Sequence, residues 1–326
     1  MNVSVFGSGA WGTALALVLH RGGHHIKLWG HDPKHLDEIR QTGRNERALP
    51  GVEIPRDWEI EPDFARALDR SDCAIVAVPS KAIRVIAPQL KGYERVVVSV
   101  TKGIEFETGL TMCGVIESFA PGAQIAALSG PSLALEVARG IPTAIVAASP
   151  VPAIAELVQQ LFHRPAFRVY TSTDIVGVEL GGALKNVVAI AAGIGDGLGF
   201  GDNSKAALLT RGIAEIRRLG VACGAQVETF AGLSGLGDLT VTCFSKLSRN
   251  RTLGERLGRG EKLSDLLANA AQVAEGYPTA RSARELARKH KVETPIIDET
   301  YAVLYEGKNV AKALQDLMSR ETKAEG

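Results

Sequence analysis

Residues 3–12 read VSVFGSGAWG, and residues 13–23 continue as the apolar, helix-forming TALALVLHRGG. The β-branched run predicts a strand, and the glycines after it predict a tight turn into a helix. In this arrangement of strand, glycine loop and helix, Gly7 permits the tight turn and Gly9 allows a ligand to approach the backbone closely. Gly12 lets the helix pack on the strand. The first N–H groups of such a helix suit a pyrophosphate, so the stretch predicts a dinucleotide loop. The alternative is a glycine turn without a ligand.

The same strand and helix rhythm continues through the first half of the chain. Runs that are apolar throughout, such as AIVAV and VVVSV, fit strands covered by helices on both faces. The sequence therefore predicts a doubly wound, mainly parallel sheet over residues 1–175. The predicted strands are residues 3–6, 25–30, 73–79, 95–101, 125–130 and 143–148.

From about Asp174 onward the composition changes, and the chain consists of long segments rich in Ala, Leu, Gly and Arg. In SKAALLTRGIAEIRRLG the apolar residues recur every three or four residues, which is the spacing of one face of an α-helix. Two such segments, at 178–197 and 279–290, flank it. We therefore expect an all-helical second domain over residues 176–326, in keeping with a chain length that favours two domains.

Composition excludes several classes of protein. Lys and Arg number 37 against 36 Asp and Glu, so a formal charge of +1 gives no broad field for nucleic acid or an anionic membrane. The four cysteines are scattered without CxxC pairs, and no Cys/His spacing resembles a metal site, which favours reduced thiols in a cytoplasm. Glycines interrupt the first 19 residues and no basic segment precedes them, so they do not resemble a signal peptide. No apolar run is expected to approach the roughly 20 residues of a membrane-spanning helix.

The choice between the two nicotinamide cofactors is expected at the end of the second strand. His31 and Asp32 stand there, about twenty residues after the glycine loop. Asp32 could accept a hydrogen bond from the NAD ribose, whereas His31, with Lys34 and His35 nearby, could accommodate a 2′-phosphate. Either residue could also serve only the turn.

Two lysines are the best candidates for acid–base chemistry, since the seven histidines occupy positions that offer little. Lys185 lies among Gly, Ala, Leu and Val, where lost hydration would lower the pKa of its ammonium toward the useful range. Lys102, in SVTKGIE, follows a strand at the sheet edge where open parallel sheets bind ligands. The alternatives are a lysine reaching out from an amphipathic helix and a lysine on a solvated loop.

A phosphate site is predicted at residues 248–251, SRNR, which open an apparent helix. A hydroxyl, a guanidinium and a helix N-terminus together can bind phosphate oxygens. A capped helix with surface arginines is the simpler alternative. Gly130-Pro131-Ser132 follows another strand on the carboxyl side of the sheet, where a plain turn would explain it equally well.

Taken together, these segments resemble the bacterial-type NAD(P)-dependent sn-glycerol-3-phosphate dehydrogenases. The resemblance spans most of the chain in the family's order, and the KN of the lysine segment and the SRN segment are its most specific parts. It implies a Rossmann-type sheet followed by a helical domain of the 6-phosphogluconate-dehydrogenase type. The matching stretches are GSGAWGTALA at 7–16, NERALPG at 45–51, SVTKGIE at 99–105, LSGPSLALEVARGIPTA at 128–144, ELGGALKNVVAIAAGIGDGL at 179–198, GLGDLTVTCFSKLSRNR at 235–251 and AEGYPTA at 274–280.

The resemblance also implies roles for individual residues. Lys185 would accept the proton in alcohol oxidation and donate it in ketone reduction, and Arg249 would clamp the phosphate. The implied substrate-binding residues are Lys102, Gly130, Ser132, Lys185, Asp238, Ser248, Arg249 and Asn250. The implied NAD(P)H-binding residues are Gly7, Gly9, Ala10, Trp11, Gly12, His31, Lys102, Ala134, Arg249, Val273 and Glu275.

Two alternatives and one departure accompany the resemblance. Ala48 stands in NERALPG where the family would have an aromatic residue, so an adenine-side contact is in doubt. The 3-hydroxyacid and 6-phosphogluconate dehydrogenases share a catalytic lysine but usually place asparagine four residues later, where this chain has Ala189. A dinucleotide-binding sensor without catalysis is the other alternative. The family further implies a cytoplasmic homodimer that acts on a small phosphate substrate and supplies glycerol 3-phosphate to phospholipid synthesis. The charge balance and the Cys and His spacing predict no nucleic acid partner and no metal site.

Overall fold

The computed structural model describes residues 1–268 and 274–321, and the chain divides into two compact units. The first unit contains residues 1–105 and 110–179, and the second contains residues 106–109 and 180–326.

The first unit is built on one eight-stranded sheet with the order β3-β2-β1-β4-β5-β6-β7-β8. All pairs are parallel except β6 with β7, so the mainly parallel prediction is confirmed. The strands are β1 Asn2–Phe6, β2 His25–Trp29, β3 Glu59–Glu61, β4 Cys73–Val76, β5 Val96–Ser99, β6 Gln124–Ser129, β7 Thr143–Ala148 and β8 Phe167–Ser172. Its helices are α1 Ala10–His20, α2 Pro33–Thr42, α3 Phe64–Leu68, α4 Ile83–Ile86, α5 Met112–Phe119, α6 Ala134–Ala138 and α7 Pro152–Phe162.

The central strands are buried on both faces, as their sequences predict. Two apolar clusters cover the opposite faces of the sheet: Val3 and Ile75 belong to one, Phe6 and Val76 to the other. All six strands expected from the sequence are present. The two that the sequence reading missed, β3 and β8, are the edge strands.

The second unit is helical, as predicted, and contains most of the largely buried helix α8 Ile175–Gly197. This helix begins in the first unit and continues through the second. The remaining helices are α9 Asp202–Ala222, α10 Asp238–Phe244, α11 Arg249–Gly258, α12 Leu263–Ala268, α13 Gly276–His290, α14 Pro295–Tyr305 and α15 Val310–Met318.

The expectation that no apolar run approaches membrane-spanning length was wrong for α8. It has 23 residues, and its most apolar window has a mean hydropathy of 1.6. However, 83% of that window is buried inside the protein. A helix surrounded by its own fold needs apolar residues on every side, so α8 has the composition of a central core helix.

Two buried carboxyl groups anchor helix starts. Glu179 accepts a hydrogen bond from the N–H of Cys113 in α5 (2.9 Å), and Glu215 accepts from the N–H of Ile296 in α14 (2.8 Å). Burial raises the pKa of each carboxyl to about 7, although these hydrogen bonds oppose the shift. Each therefore titrates near neutral pH while satisfying a helix N-terminus.

Candidate functional site

The glycine loop has the conformation that its sequence predicts. Gly7 has a φ of +132°, and a Cβ there would lie 2.4 Å from the Ala77 carbonyl oxygen. A Cβ on Gly12 would lie 2.0 Å from the Gly7 carbonyl oxygen, so α1 packs directly on the turn. At Gly9, by contrast, a Cβ would meet nothing within 4 Å. The loop is thus closed toward the protein at Gly7 and Gly12 and open at Gly9, which fits the approach of a pyrophosphate.

Asn45 holds this loop, and sequence reasoning did not single it out. Its buried amide nitrogen donates to the Ser8 carbonyl and to the Thr13 hydroxyl, each at 2.8 Å. These bonds join the loop to the first turn of α1. Asn45 lies in NERALPG, so the resemblance marked the segment but gave this side chain no role.

The other predicted cofactor residues lie at several places in the two units. Ala10 and Trp11 are partly buried in the first turn of α1, and Ala134 begins α6 and packs against the same core. His31 is exposed at the end of β2, and Glu275 directly precedes α13. Val273 lies outside the described residues.

Asp32 acts as a helix cap. Its Oδ1 accepts hydrogen bonds from the N–H groups of Lys34 (3.1 Å) and His35 (3.4 Å) at the start of α2, and its Oδ2 pairs with Arg47 at 2.9 Å. The His35 N–H and the Arg47 guanidinium lower the pKa of the Asp32 carboxyl. The turn role considered for Asp32 is therefore present, and its charge is balanced by a cation.

Lys102 and the Gly130 turn come together in the first unit. The Lys102 Nζ donates to the Gly130 carbonyl at 3.3 Å, and the Ser132 hydroxyl donates to the same oxygen at 2.9 Å. Gly130 has a φ of +145°, which a residue with a side chain rarely adopts. Both segments follow strands that end on the carboxyl side of the sheet, as the sequence predicts.

In the second unit, Lys185 is buried and held by two side chains. Its Nζ donates to Asp238 Oδ1 at 2.8 Å and to Thr242 Oγ1 at 2.6 Å. Only 6% of Lys185 and 1% of Asp238 are exposed. The lysine is therefore not a surface residue reaching out of its helix, and its side chain pairs with a buried carboxylate.

Thr242 was missed by sequence reasoning, although it lies four residues after the predicted Asp238. In a helix that spacing places both side chains on one face, and their shared contact is with Lys185. The four-residue spacing thus indicated that Thr242 lies on the same helix face as Asp238. Nothing in the sequence indicated that this face of α10 packs against α8.

The predicted phosphate segment forms the start of α11. Ser248 caps the helix, since its Oγ accepts from the Arg251 N–H at 3.2 Å. Arg249 is the first helical residue and is exposed, whereas Asn250 is buried. Asn250 Nδ2 donates to Asn186 Oδ1, and Asn250 Oδ1 accepts from the Gly276 N–H, each at 2.9 Å.

Comparison with known proteins places this geometry in a family. Residues 2–155 match the model for the NAD-dependent glycerol-3-phosphate dehydrogenase N-terminus, and residues 174–315 match the model for its C-terminus. A protein of Fusobacterium nucleatum named glycerol-3-phosphate dehydrogenase [NAD(P)+] is 47% identical over 330 residues, which cover 100% of this chain and 98% of that one. One of the same name from Anaeromyxobacter dehalogenans is 48% identical over 331 residues, covering 100% of both.

The chain belongs to the NAD-dependent glycerol-3-phosphate dehydrogenase family. The crystal structure of the glycerol-3-phosphate dehydrogenase of Coxiella burnetii has a TM-score of 0.94 at 36% identity, covering 98% of this chain and 99% of that one. The yeast enzyme has a TM-score of 0.83 at 27% identity, with 98% and 99% covered. The family makes this chain an NAD(P)-dependent oxidoreductase, which favours the predicted enzyme over the non-catalytic sensor.

Proposed function

We propose that this chain interconverts sn-glycerol 3-phosphate and dihydroxyacetone phosphate, with Lys185 as the general acid and base. The buried contact of the Lys185 ammonium with Asp238 and Thr242 is the observation that carries the proposal. In ketone reduction Lys185 gives a proton to the carbonyl oxygen as that oxygen gains charge. In alcohol oxidation it takes the proton back.

The glycine loop would hold the cofactor. NAD(P)H, when bound, supplies the hydride. Gly9 gives the backbone room to approach a pyrophosphate, and the first turn of α1 offers N–H groups to its oxygens. Ala10, Trp11, His31 and Ala134 would border the dinucleotide, as the resemblance implies. The same role is proposed for Val273 and Glu275.

The start of α11 would bind the substrate phosphate. Arg249 is the first residue of α11 and lies at a helix N-terminus, next to Ser248 in the chain. Surrounding protein atoms lower the pKa of Arg249, but an arginine remains a cation at neutral pH. Binding energy from the phosphate then orients the carbonyl carbon for reaction.

Lys102 would contact both substrate and cofactor. Its ammonium already donates to the Gly130 carbonyl, beside the Ser132 hydroxyl, and therefore lies with other polar groups at the end of β5 and β6. A cation there can stabilise negative charge on the substrate oxygen during the reaction.

The biological setting follows from the product. Glycerol 3-phosphate forms the backbone of glycerophospholipids, so we propose a cytoplasmic homodimer that supplies lipid precursors. Residues 1–175 would serve the dinucleotide, and residues 176–326 would serve the substrate and the proton transfer.

A spectrophotometric assay tests the proposal directly. Purified protein is given dihydroxyacetone phosphate with NADH and, separately, with NADPH, and cofactor oxidation is followed. We expect oxidation with at least one cofactor, and the ratio of the two kcat/KM values measures the preference. If correctly folded protein oxidises neither cofactor with this substrate, the 3-hydroxyacid alternative gains support, and the same assay with hydroxyacids examines it.

A further inference from the structure

Helices α8 and α11 are in backbone contact through glycines on both helices. A Cβ on Gly193 would lie 2.0 Å from the carbonyl oxygen of Arg251, and a Cβ on Gly254 would lie 2.0 Å from that of Ile190. One turn later the pattern repeats, with Gly197 at 2.2 Å from the Glu255 oxygen and Gly258 at 2.4 Å from the Ile194 oxygen. Each helix therefore uses glycines four residues apart to receive the carbonyls of the other.

These contacts leave no space for a Cβ atom at the four glycine positions. Helix axes usually lie 8–10 Å apart because side chains separate them, and these side chains are absent where α8 meets α11. Glycine inside a helix costs about 1 kcal/mol relative to alanine. Four glycines at one contact are therefore unfavourable for each helix alone and are explained by the close approach.

A buried amide contact ties the same two helices, and on each helix it lies four residues before the contact of Ile190 with Gly254. Asn186 on α8 and Asn250 on α11 are 4% and 8% exposed, and the Asn250 amide nitrogen donates to the Asn186 amide oxygen at 2.9 Å. Asn186 directly follows Lys185, and Asn250 directly follows Arg249. The tie thus joins the residues adjacent to the proposed proton donor and the proposed phosphate ligand.

We propose that Gly193, Gly254 and Asn186 are specificity-determining positioning residues. They fix the separation between the Lys185 ammonium and the phosphate-binding start of α11, and so select the length of the substrate. In dihydroxyacetone phosphate the carbonyl carbon and the phosphate ester oxygen are separated by one CH₂ group. This inference rests on the proposed function, because it assumes that Lys185 serves the carbonyl and Arg249 serves the phosphate.

The variant Gly193→Ala tests the proposal, and Gly195→Ala is its matched control. A Cβ at 193 must move from 2.0 Å to at least 3.0 Å from the Arg251 oxygen, so α11 has to shift by about 1 Å. Gly195 lies on the same helix, but a Cβ there would make an ordinary contact, 3.6 Å from the Phe200 ring. Gly195→Ala should therefore fold and react like the wild type.

The readout compares two substrates. Dihydroxyacetone phosphate uses both sites, whereas unphosphorylated dihydroxyacetone does not engage the start of α11. Single-turnover hydride transfer at high substrate concentration is measured for both. We expect Gly193→Ala to lose about 100-fold with the phosphate ester, as a displacement of about 1 Å can cause. With dihydroxyacetone its rate should stay near that of the wild type.

Each outcome decides the proposal. Equal losses with both substrates, or no loss with either, would overturn it, because a general structural defect does not distinguish them. If Gly193→Ala does not fold, Asn186→Ala removes the amide tie without a clash and should lose about 10-fold with the phosphate ester only. Failure of the proposed function gives a different result, namely a wild-type protein without activity on dihydroxyacetone phosphate.

Discussion

Replacing Lys185 with alanine removes the ammonium that Asp238 and Thr242 hold. A positioned general acid contributes about 10²- to 10⁴-fold to a rate. We therefore expect kcat for dihydroxyacetone phosphate reduction to fall by that factor, equivalent to about 3 to 5 kcal/mol in the activation free energy. KM should change less, because proton transfer occurs only in the transition state.

The same substitution also has a structural cost. Asp238 is 1% exposed, and without Lys185 its carboxylate loses a buried cation at 2.8 Å. Breaking a buried pair on one side typically destabilises a protein by about 3 to 5 kcal/mol. The free energy of unfolding is therefore measured by denaturant titration, and the rates are measured where the variant is folded.

Lys205 provides a control for this cost. It is also largely buried, with its side chain 11% exposed, and it pairs with Asp196 at 2.6 Å in the same unit. Lys205→Ala also removes a largely buried cation, but Arg251 still pairs with Asp196 at 2.6 Å, so this variant should lose less stability than Lys185→Ala and keep a kcat near the wild-type value. Added primary amines should partly restore Lys185→Ala, since they supply a proton donor.

Two results would refute this reasoning. Wild-type turnover in Lys185→Ala would show that the proton comes from elsewhere. A comparable fall in kcat for Lys205→Ala would show that losing any buried cation explains the effect.

Three further predictions concern the phosphate segment, the glycine loop and the buried carboxyls. Arg249→Ala should raise KM for dihydroxyacetone phosphate about 10- to 150-fold in steady-state assays, because a charge-assisted contact contributes about 1.5 to 3 kcal/mol. Gly12→Ala should lower both the free energy of unfolding, by about 1 to 3 kcal/mol, and the affinity for NADH in a fluorescence titration, because its Cβ would meet the Gly7 oxygen at 2.0 Å. With the pKa of Glu215 raised to about 7, the folded state binds more protons than the unfolded state, so stability should fall as pH rises from about 4.5 to about 7. Glu215→Gln should reduce this slope in denaturant titrations by up to about 1.4 kcal/mol per pH unit.

Matched variants make these outcomes specific. Arg249→Lys keeps the positive charge but loses the planar guanidinium that can donate to two phosphate oxygens at once. Its KM should therefore lie between those of the wild type and Arg249→Ala. Gly9→Ala meets no protein atom within 4 Å and should lower NADH affinity without lowering stability. An unchanged KM in Arg249→Ala, or an unchanged pH slope in Glu215→Gln, would contradict the corresponding assignment.

The sequence by itself determined the elements whose cause is local. The order of strand, glycine loop and helix at residues 2–20 follows from short-range sterics. The six strands that the sequence predicted are all internal strands of the sheet. The two missed strands are at the edges of the sheet. β8 alternates between buried and exposed residues over much of its length and β3 has only three residues, so neither shows the apolar run of a strand covered on both faces.

Only the tertiary structure decided which side chains meet. Lys185 and Asp238 are 53 residues apart, and Asn186 and Asn250 are 64 apart, yet both pairs are in hydrogen-bond contact. Helical periodicity gives the face of each helix but not its neighbour, so Thr242 and the role of Asn186 could not be inferred from the chain alone. The glycines of α8 and α11 show the same limit: their spacing was visible in the sequence, but the carbonyls that require them became known only when the helices were packed together.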